Sequence, residues 1–255
     1  MSDMRYEAPQ SLDAAVALLA DANGAGKILA GGTDVLVQLH AEIIEPDVLV
    51  DIKNISELRE ISEDSAAWRV GAAVPGMKVI DDIGFSNAWP GVCEGVALIG
   101  SVQVKGRASI GGNLCNASPA ADSVPALIAA GAVATIIGTT GTREDAVENI
   151  VIGPGKTSLG ADEFIVSFGF PARPAHSGDC YLRLTPRTEM DIAIVGVGAN
   201  LTLDDNGVCT AARIAVGAVA PRPLLVSDAA DALIGTKVDD AAVELRILDR
   251  TQSVD

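Results

Sequence analysis

The chain has 255 residues, of which 49% are hydrophobic and only 3% aromatic, and its 34 acidic and 18 basic side chains give a formal charge of −16. That length allows one large domain or two moderate ones, and so few aromatics require a core of small aliphatic side chains between closely approaching backbones. A field this negative repels phosphate polymers and anionic lipid headgroups, which argues against nucleic acid or a membrane surface as partner and leaves most acidic residues as a solvated face.

Cys93, Cys115, Cys180 and Cys209 contain no Cys-x-x-Cys pair and lie at long, irregular intervals. They do not look like an iron–sulfur or zinc set, so buried thiols in a reduced protein are expected and any cluster is assigned to another chain. The N-terminal MSDMRYEAPQ lacks the pattern of a secretory signal. The most apolar stretch, 126–138, is too short to span a bilayer, so a cytoplasmic chain with no membrane span is expected.

In chain order, Ser11 caps a helix with Leu12, Ala15, Val16 and Leu19 on one face, and Asn23-Gly24 stops it. A buried strand at 27–30 ends at Gly31-Gly32, after which Thr33 and Asp34 are N-cap candidates for a helix over 35–39. Pro46 leads into a strand at 48–52. Two β segments at 58–61 and 68–74 flank a polar Glu63-Asp64-Ser65 turn. A helical pattern then returns. Residues 90–100 are small and apolar, 101–119 are dense in Ser, Gly and Asn, 120–130 read as a helix, and 133–137 and 163–170 as strands. PARPAHSG, 171–178, is the best linker candidate. Beyond it, 180–184, 192–203 and 208–219 read as strands, with a hairpin turn at Asp204-Asp205-Asn206-Gly207 and short helices to close the chain.

A glycine pair before a capped helix exposes backbone N–H groups with no Cβ in the way, and the helix dipole adds positive potential there. Ala30-Gly31-Gly32-Thr33-Asp34 fits this description. Ser109-Ile110-Gly111-Gly112-Asn113 supplies a second row of N–H groups of the nest kind, so a diphosphate can lie between them. A lone glycine pair is more often an ordinary tight turn. Gly155-Lys156-Thr157 resembles the end of a P-loop, but its first glycine falls on Ile150, and Gly196-Val197-Gly198 lacks the third glycine of a dinucleotide fingerprint. His40 and His176 have no metal-ligand spacing and support neither a metal site nor a Ser-His-Asp triad.

The strings KILAGGTDVLVQL (27–39), SIGGNLCNASPAAD (109–122) and YLRLTPRTEMDIAIVGVGA (181–199) resemble the FAD-binding medium subunit of molybdenum hydroxylases, the xanthine dehydrogenase and aerobic carbon monoxide dehydrogenase type. The resemblance implies an α+β chain: a two-lobed FAD-binding domain of the vanillyl-alcohol-oxidase (PCMH) type over 1–173, then a smaller carbon monoxide dehydrogenase flavoprotein-like C-terminal α/β domain over 178–255. It implies that Leu29, Ala30, Gly31, Gly32, Thr33, Asp34 and Val35 on one side, and Ser109, Gly112 and Asn113 on the other, grip the FAD pyrophosphate. Asn116 and Asp122 match contacts to the adenosine and pyrophosphate half, Gly100, Ser101 and Val104 match the segment near the flavin, and Ile165 matches an apolar contact. Arg183 matches a cation beside reduced flavin, or else is a surface arginine paired with Glu189 or Asp191; Asp34 is equally a simple helix cap.

The sequence departs from the family in lacking paired aromatics before Gly153-Pro154-Gly155, in lacking a cysteine-rich insertion, and in ending at LRILDRTQSVD, short of the family's tail. The implied activity is a relay: a molybdenum subunit oxidises the substrate, an iron–sulfur subunit passes electrons, and non-covalent FAD here delivers them to NAD or another acceptor. The alternatives are a stand-alone flavoprotein oxidase or dehydrogenase, and a flavin-free scaffold subunit.

Overall fold

The computed structural model describes residues 4–187 and 190–239. The chain opens with β1 (Arg5–Glu7), α1 (Leu12–Asp21), β2 (Gly26–Leu29), α2 (Val35–His40) and β3 (Val48–Asp51), in which a parallel sheet runs in the order β1-β3-β2. α1 starts where expected: Ser11 is extended and its Oγ accepts from the Ala14 N–H at 3.3 Å, while Ala15, Val16 and Leu19 face the sheet. Central β3 is buried along its whole length, which explains its unbroken Val-Leu-Val run. Its last residue, Asp51, is held by three donors, the Tyr6 hydroxyl, the Lys53 ammonium and the Lys53 N–H. Burial pushes that carboxyl up, but these bonds outweigh it and keep Asp51 below the usual carboxylate range.

Two 3-10 turns, Ile52–Asn54 and Ser56–Arg59, lead into β4 (Ile61–Asp64) and β5 (Ala67–Gly71). The first β segment therefore begins later than the sequence suggests and carries through Glu63 and Asp64, because Ser65 and Ala66 both take the left-handed backbone that makes the turn. Six helices follow: α3 (Gly76–Asp81), α4 (Ile83–Ala88), α5 (Pro90–Ala97), α6 (Val102–Lys105), α7 (Ile110–Cys115) and α8 (Ser123–Ala129). Then come β6 (Val133–Gly138), β7 (Gly141–Ala146), the small pair β8 (Val151–Gly153) and β9 (Lys156–Thr157), and β10 (Phe164–Phe170).

A five-stranded antiparallel sheet has the order β4-β5-β10-β6-β7, with β10 in the middle. β10 serves two cores. Phe164 and Val166 join Val48, Val50 and Leu58 of the first lobe, whereas Ile165, Phe168 and Phe170 join the helices of the second. The few aromatics are concentrated in the second core, where Phe85 meets Phe170 edge to face at 5.0 Å and Trp68 at 5.7 Å, and Trp89 lies against Phe170.

β11 (Ser177–Leu184), β12 (Val195–Leu203), β13 (Cys209–Gly217) and β14 (Leu224–Leu225) form a second antiparallel sheet in that order, followed by α9 (Ser227–Leu233). β12 begins at Val195 rather than Ile192, whose side chain is exposed. The sheet lies directly on α5 and α8 through glycines: a Cβ on Gly198 would sit 2.5 Å from the Pro125 carbonyl oxygen, and one on Gly217 2.8 Å from the Pro125 ring. The proline-rich stretch before it is pinned as well. Arg173 pairs with Asp179 at 2.7 Å, stacks over Trp89 at 4.7 Å and donates to the Ala88 carbonyl. Of the thiols, Cys93 and Cys209 are buried as expected, but Cys115 and Cys180 are exposed. The last stretch of the expected C-terminal domain, 240–255, lies outside the described residues.

The Asp179 side chain is 3% exposed, so losing Arg173 strands a buried carboxylate. Arg173→Ala is expected to cost about 3–5 kcal/mol in urea unfolding, and Asp179→Asn in the same background should recover part of that loss.

Candidate functional site

The two glycine loops face each other because their backbones can touch. A Cβ on Gly31 would overlap the Arg107 carbonyl and lie 2.9 Å from the Ala108 Cα; behind the second loop, one on Gly111 would sit 2.6 Å from the carbonyl oxygen of Ala72, just after β5. Gly32 turns the chain with a φ of +77°. Between the loops opens a cleft of about 840 Å³, near the upper end of the ~300–1,000 Å³ typical of small-molecule sites.

Ala30, Gly31, Gly32, Thr33, Asp34 and Val35 line the cleft from one side; Ser109, Gly112, Asn113 and Asn116 line it from the other, with Ile165 from β10. Leu29 is buried behind the first loop, packed under Gly32. From Gly31 through Val35, no N–H donates to an acceptor among the described residues, so five consecutive donors at the head of α2 await a partner. Asp34 does not cap the helix. Its backbone is already helical, and its carboxylate instead accepts from the Gln38 amide, one turn on, which also reaches Asn116 Oδ1 at 3.5 Å and links the loops.

The second loop differs from the nest expected of it. Residues 110–115 are a short helix; Ser109 Oγ accepts from the Gly112 N–H at 3.1 Å, the Gly111 N–H donates to Ala72 and the Asn113 N–H to the Ser109 carbonyl. This side offers side-chain donors instead. The Ser109 hydroxyl keeps its own proton, and Asn113, whose Oδ1 accepts from Ser123 at 2.7 Å, keeps its NH₂. Lys27 and Glu163 also reach the cleft wall, and two 2.8 Å bonds from Arg143 occupy Glu163 and hold its carboxyl below the usual range.

Lys27, Gln38, Cys115, Gly155 and Thr157 line the cleft without having been expected there. Gln38 carried a signal, its position four residues after Asp34 on one helix. Gly155 reads in sequence as the end of a failed P-loop and as part of Gly153-Pro154-Gly155; its N–H donates to the Ala117 carbonyl at 3.0 Å, which seats the turn against the cleft.

Gly100, Ser101, Val104, Asp122 and Arg183 do not line this cleft. Gly100 and Asp122 line a second cavity of about 210 Å³, shared with Leu98, Ser118, Met190 and Ile192. Ser101 caps α6, its Oγ accepting from the Val104 N–H at 3.4 Å, and Val104 packs over Gly100. Arg183 is not a surface arginine: its side chain is 10% exposed and pairs with Asp122 at 2.8 Å, with the Asp191 backbone carbonyl 3.4 Å away. Glu189 lies outside the described residues.

A cleft of this size, with unpaired N–H donors at a helix start and hydroxyl and amide donors opposite, fits an elongated anionic ligand such as a dinucleotide and defines an α+β dinucleotide-binding protein. Residues 2–173 match the family of the FAD binding domain in molybdopterin dehydrogenase, and 181–250 match the carbon monoxide dehydrogenase flavoprotein C-terminal domain. The chain is 37% identical to the xanthine dehydrogenase FAD-binding subunit of Escherichia coli O157:H7 over 86% of its own length and 75% of that relative's. It is 28% identical to the nicotinate dehydrogenase FAD-subunit of Eubacterium barkeri, over 96% and 84%. Among solved structures it resembles carbon monoxide dehydrogenase from Hydrogenophaga pseudoflava, with a TM-score of 0.89, 31% identity and coverage of 94% and 83%. The chain belongs to the FAD-binding subunits of the molybdenum hydroxylases, and is an oxidoreductase subunit whose cofactor is FAD.

Because only glycine fits against Arg107, Gly31→Ala should push the loops apart. It is expected to cost about 1–3 kcal/mol in unfolding and to weaken FAD binding about tenfold or more, read by flavin fluorescence titration.

Proposed function

We propose that FAD lies with its diphosphate between the head of α2 and the side-chain donors of Ser109 and Asn113, and with its ring system toward the second cavity. Leu29 through Val35 shape the first wall, Asn116 borders the second, and Ile165 gives an apolar contact. Gly100, Ser101, Val104 and Arg183 belong to the flavin end; Asp122, which the family resemblance put at the adenosine and pyrophosphate half, is assigned to the same end because it lines the second cavity with Gly100 and pairs with Arg183. The observation that carries this reading is the run of five unpartnered N–H groups at the cleft. Bound FAD supplies a two-electron store; the chain's residues grip the diphosphate, exclude water from the apolar wall and set the charge near the ring.

We further propose a division into a FAD-binding domain over 1–173 and a C-terminal domain over 178–255. In the proposed relay, the chain works as one subunit of a cytoplasmic heterotrimer, taking electrons from an iron–sulfur subunit fed by a molybdenum subunit and passing them to an external acceptor. Support for that assembly comes from relatives described as FAD-binding subunits of dehydrogenases, and from a family described as the FAD binding domain in molybdopterin dehydrogenase. No helix among the described residues is long and apolar enough to cross a membrane.

A Cβ on Gly112 would meet nothing nearer than Ser109 Oγ at 3.3 Å, so Gly112→Asp should fold and place a carboxylate where the diphosphate lies. Two like charges about 4 Å apart repel by about 4 kcal/mol at an effective dielectric near 20, so FAD affinity should fall about a thousandfold. Wild-type affinity in the folded variant would move the diphosphate elsewhere. In the reconstituted complex, stopped-flow mixing with substrate should show cluster reduction before flavin reduction, and the isolated chain should hold flavin without oxidising substrate. Rapid flavin reduction in the isolated chain would instead support a stand-alone oxidase.

A further inference from the structure

The Gly196-Val197-Gly198 run lies outside the cleft, and its first glycine makes room for a tyrosine. A Cβ on Gly196 would overlap the Tyr181 hydroxyl, which crosses from β11 to donate to Asp122 Oδ1 at 2.9 Å. Two residues on, Arg183 donates to the other oxygen, Oδ2, at 2.8 Å. Tyr181 is itself anchored, with its ring buried and its N–H donating to Glu94 Oε2 of α5 at 2.7 Å. Both oxygens of Asp122 are thus held by the C-terminal sheet, although Asp122 belongs to the segment that starts α8 and borders the second cavity.

We infer that Tyr181 is a positioning residue, seated over Gly196, that holds the Asp122 carboxylate against Arg183 and so presents the second cavity with a compensated ion pair instead of a lone cation. The link from this pair to flavin rests on the proposed placement of the ring. Burial pushes the Asp122 carboxyl up, and the bonds from Tyr181 and Arg183 hold it back. The charged and titratable groups around it are Tyr181 and Arg183 on β11 and, in the same cavity, Asp191, whose carboxylate is engaged by Arg187. Removing the tyrosine donor lets Asp122 take a proton at a higher pH, and the Arg183 charge behind the cavity wall is then uncompensated.

The test follows the Asp122 carboxyl band by infrared difference spectroscopy across pH in the full chain without flavin, with Asp122→Asn identifying the band. Tyr181→Phe should move its midpoint to higher pH. Gly196→Ala, which displaces the hydroxyl without altering the tyrosine, should move it the same way, so the test stands if either variant fails to fold. An unchanged midpoint in a variant that melts cooperatively overturns the positioning role. With FAD bound, the flavin absorption band should shift with the same midpoint as the carboxyl. A carboxyl midpoint that moves while the flavin spectrum stays flat leaves the lock standing and displaces the ring from the second cavity.

Discussion

Backbone meets backbone at the places that give this molecule its shape, and at each meeting a missing Cβ permits it. Gly31 lies on Arg107 and Ala108, Gly111 on Ala72, and Gly198 on Pro125, at separations a side chain would close. The first contact sets the spacing of the cleft loops, the second seats α7 against the chain just after β5, and the third seats the C-terminal sheet on α8. A chain with 26 glycines and 3% aromatic residues can pack this way because its helices and strands need not be held apart by large rings. Trp68, Phe85, Trp89 and Phe170 gather in one cluster outside the cleft lining, while Phe164 reaches the cleft wall.

The same economy governs the charges. A chain of −16 must bind an anionic cofactor, and its main cleft offers backbone dipoles and hydroxyls rather than a bank of arginines. Several of its arginines are spent internally: Arg173 on Asp179 and Arg183 on Asp122, while Arg213 binds Glu148 and the Ile128 carbonyl. These pairs fix how the second sheet sits on the helices, and the two buried ones, Arg173–Asp179 and Arg183–Asp122, would be costly to break by removing one partner. Lys27 stands at the cleft wall as a cation beside the neutral donors.

Periodicity and caps made α1, β3, β10 and the hairpin after β12 legible, because each depends on neighbours in sequence. The first glycine loop was legible too, since a strand, two glycines and a helix start are a local pattern. Long-range partners escaped. Asp34 reads as a cap from its position, yet Gln38 takes its carboxylate; Ser109 reads as part of a nest, yet it caps α7 with its Oγ. Arg183 had acidic neighbours in sequence, but its true partner is 61 positions away, and no local rule points to it. Gly196 and Gly198 were visible as an incomplete motif whose meaning lay in what packs against them.

In the proposed binding mode the diphosphate is the gripped group, and calorimetric titration of the apo chain with FAD, ADP and riboflavin tests this directly. Gripping by the α2 N–H groups predicts that FAD and ADP both bind and compete, while riboflavin, which has no phosphate, binds at least a hundredfold more weakly than FAD. Riboflavin binding as tightly as FAD, with no competition from ADP, would contradict it.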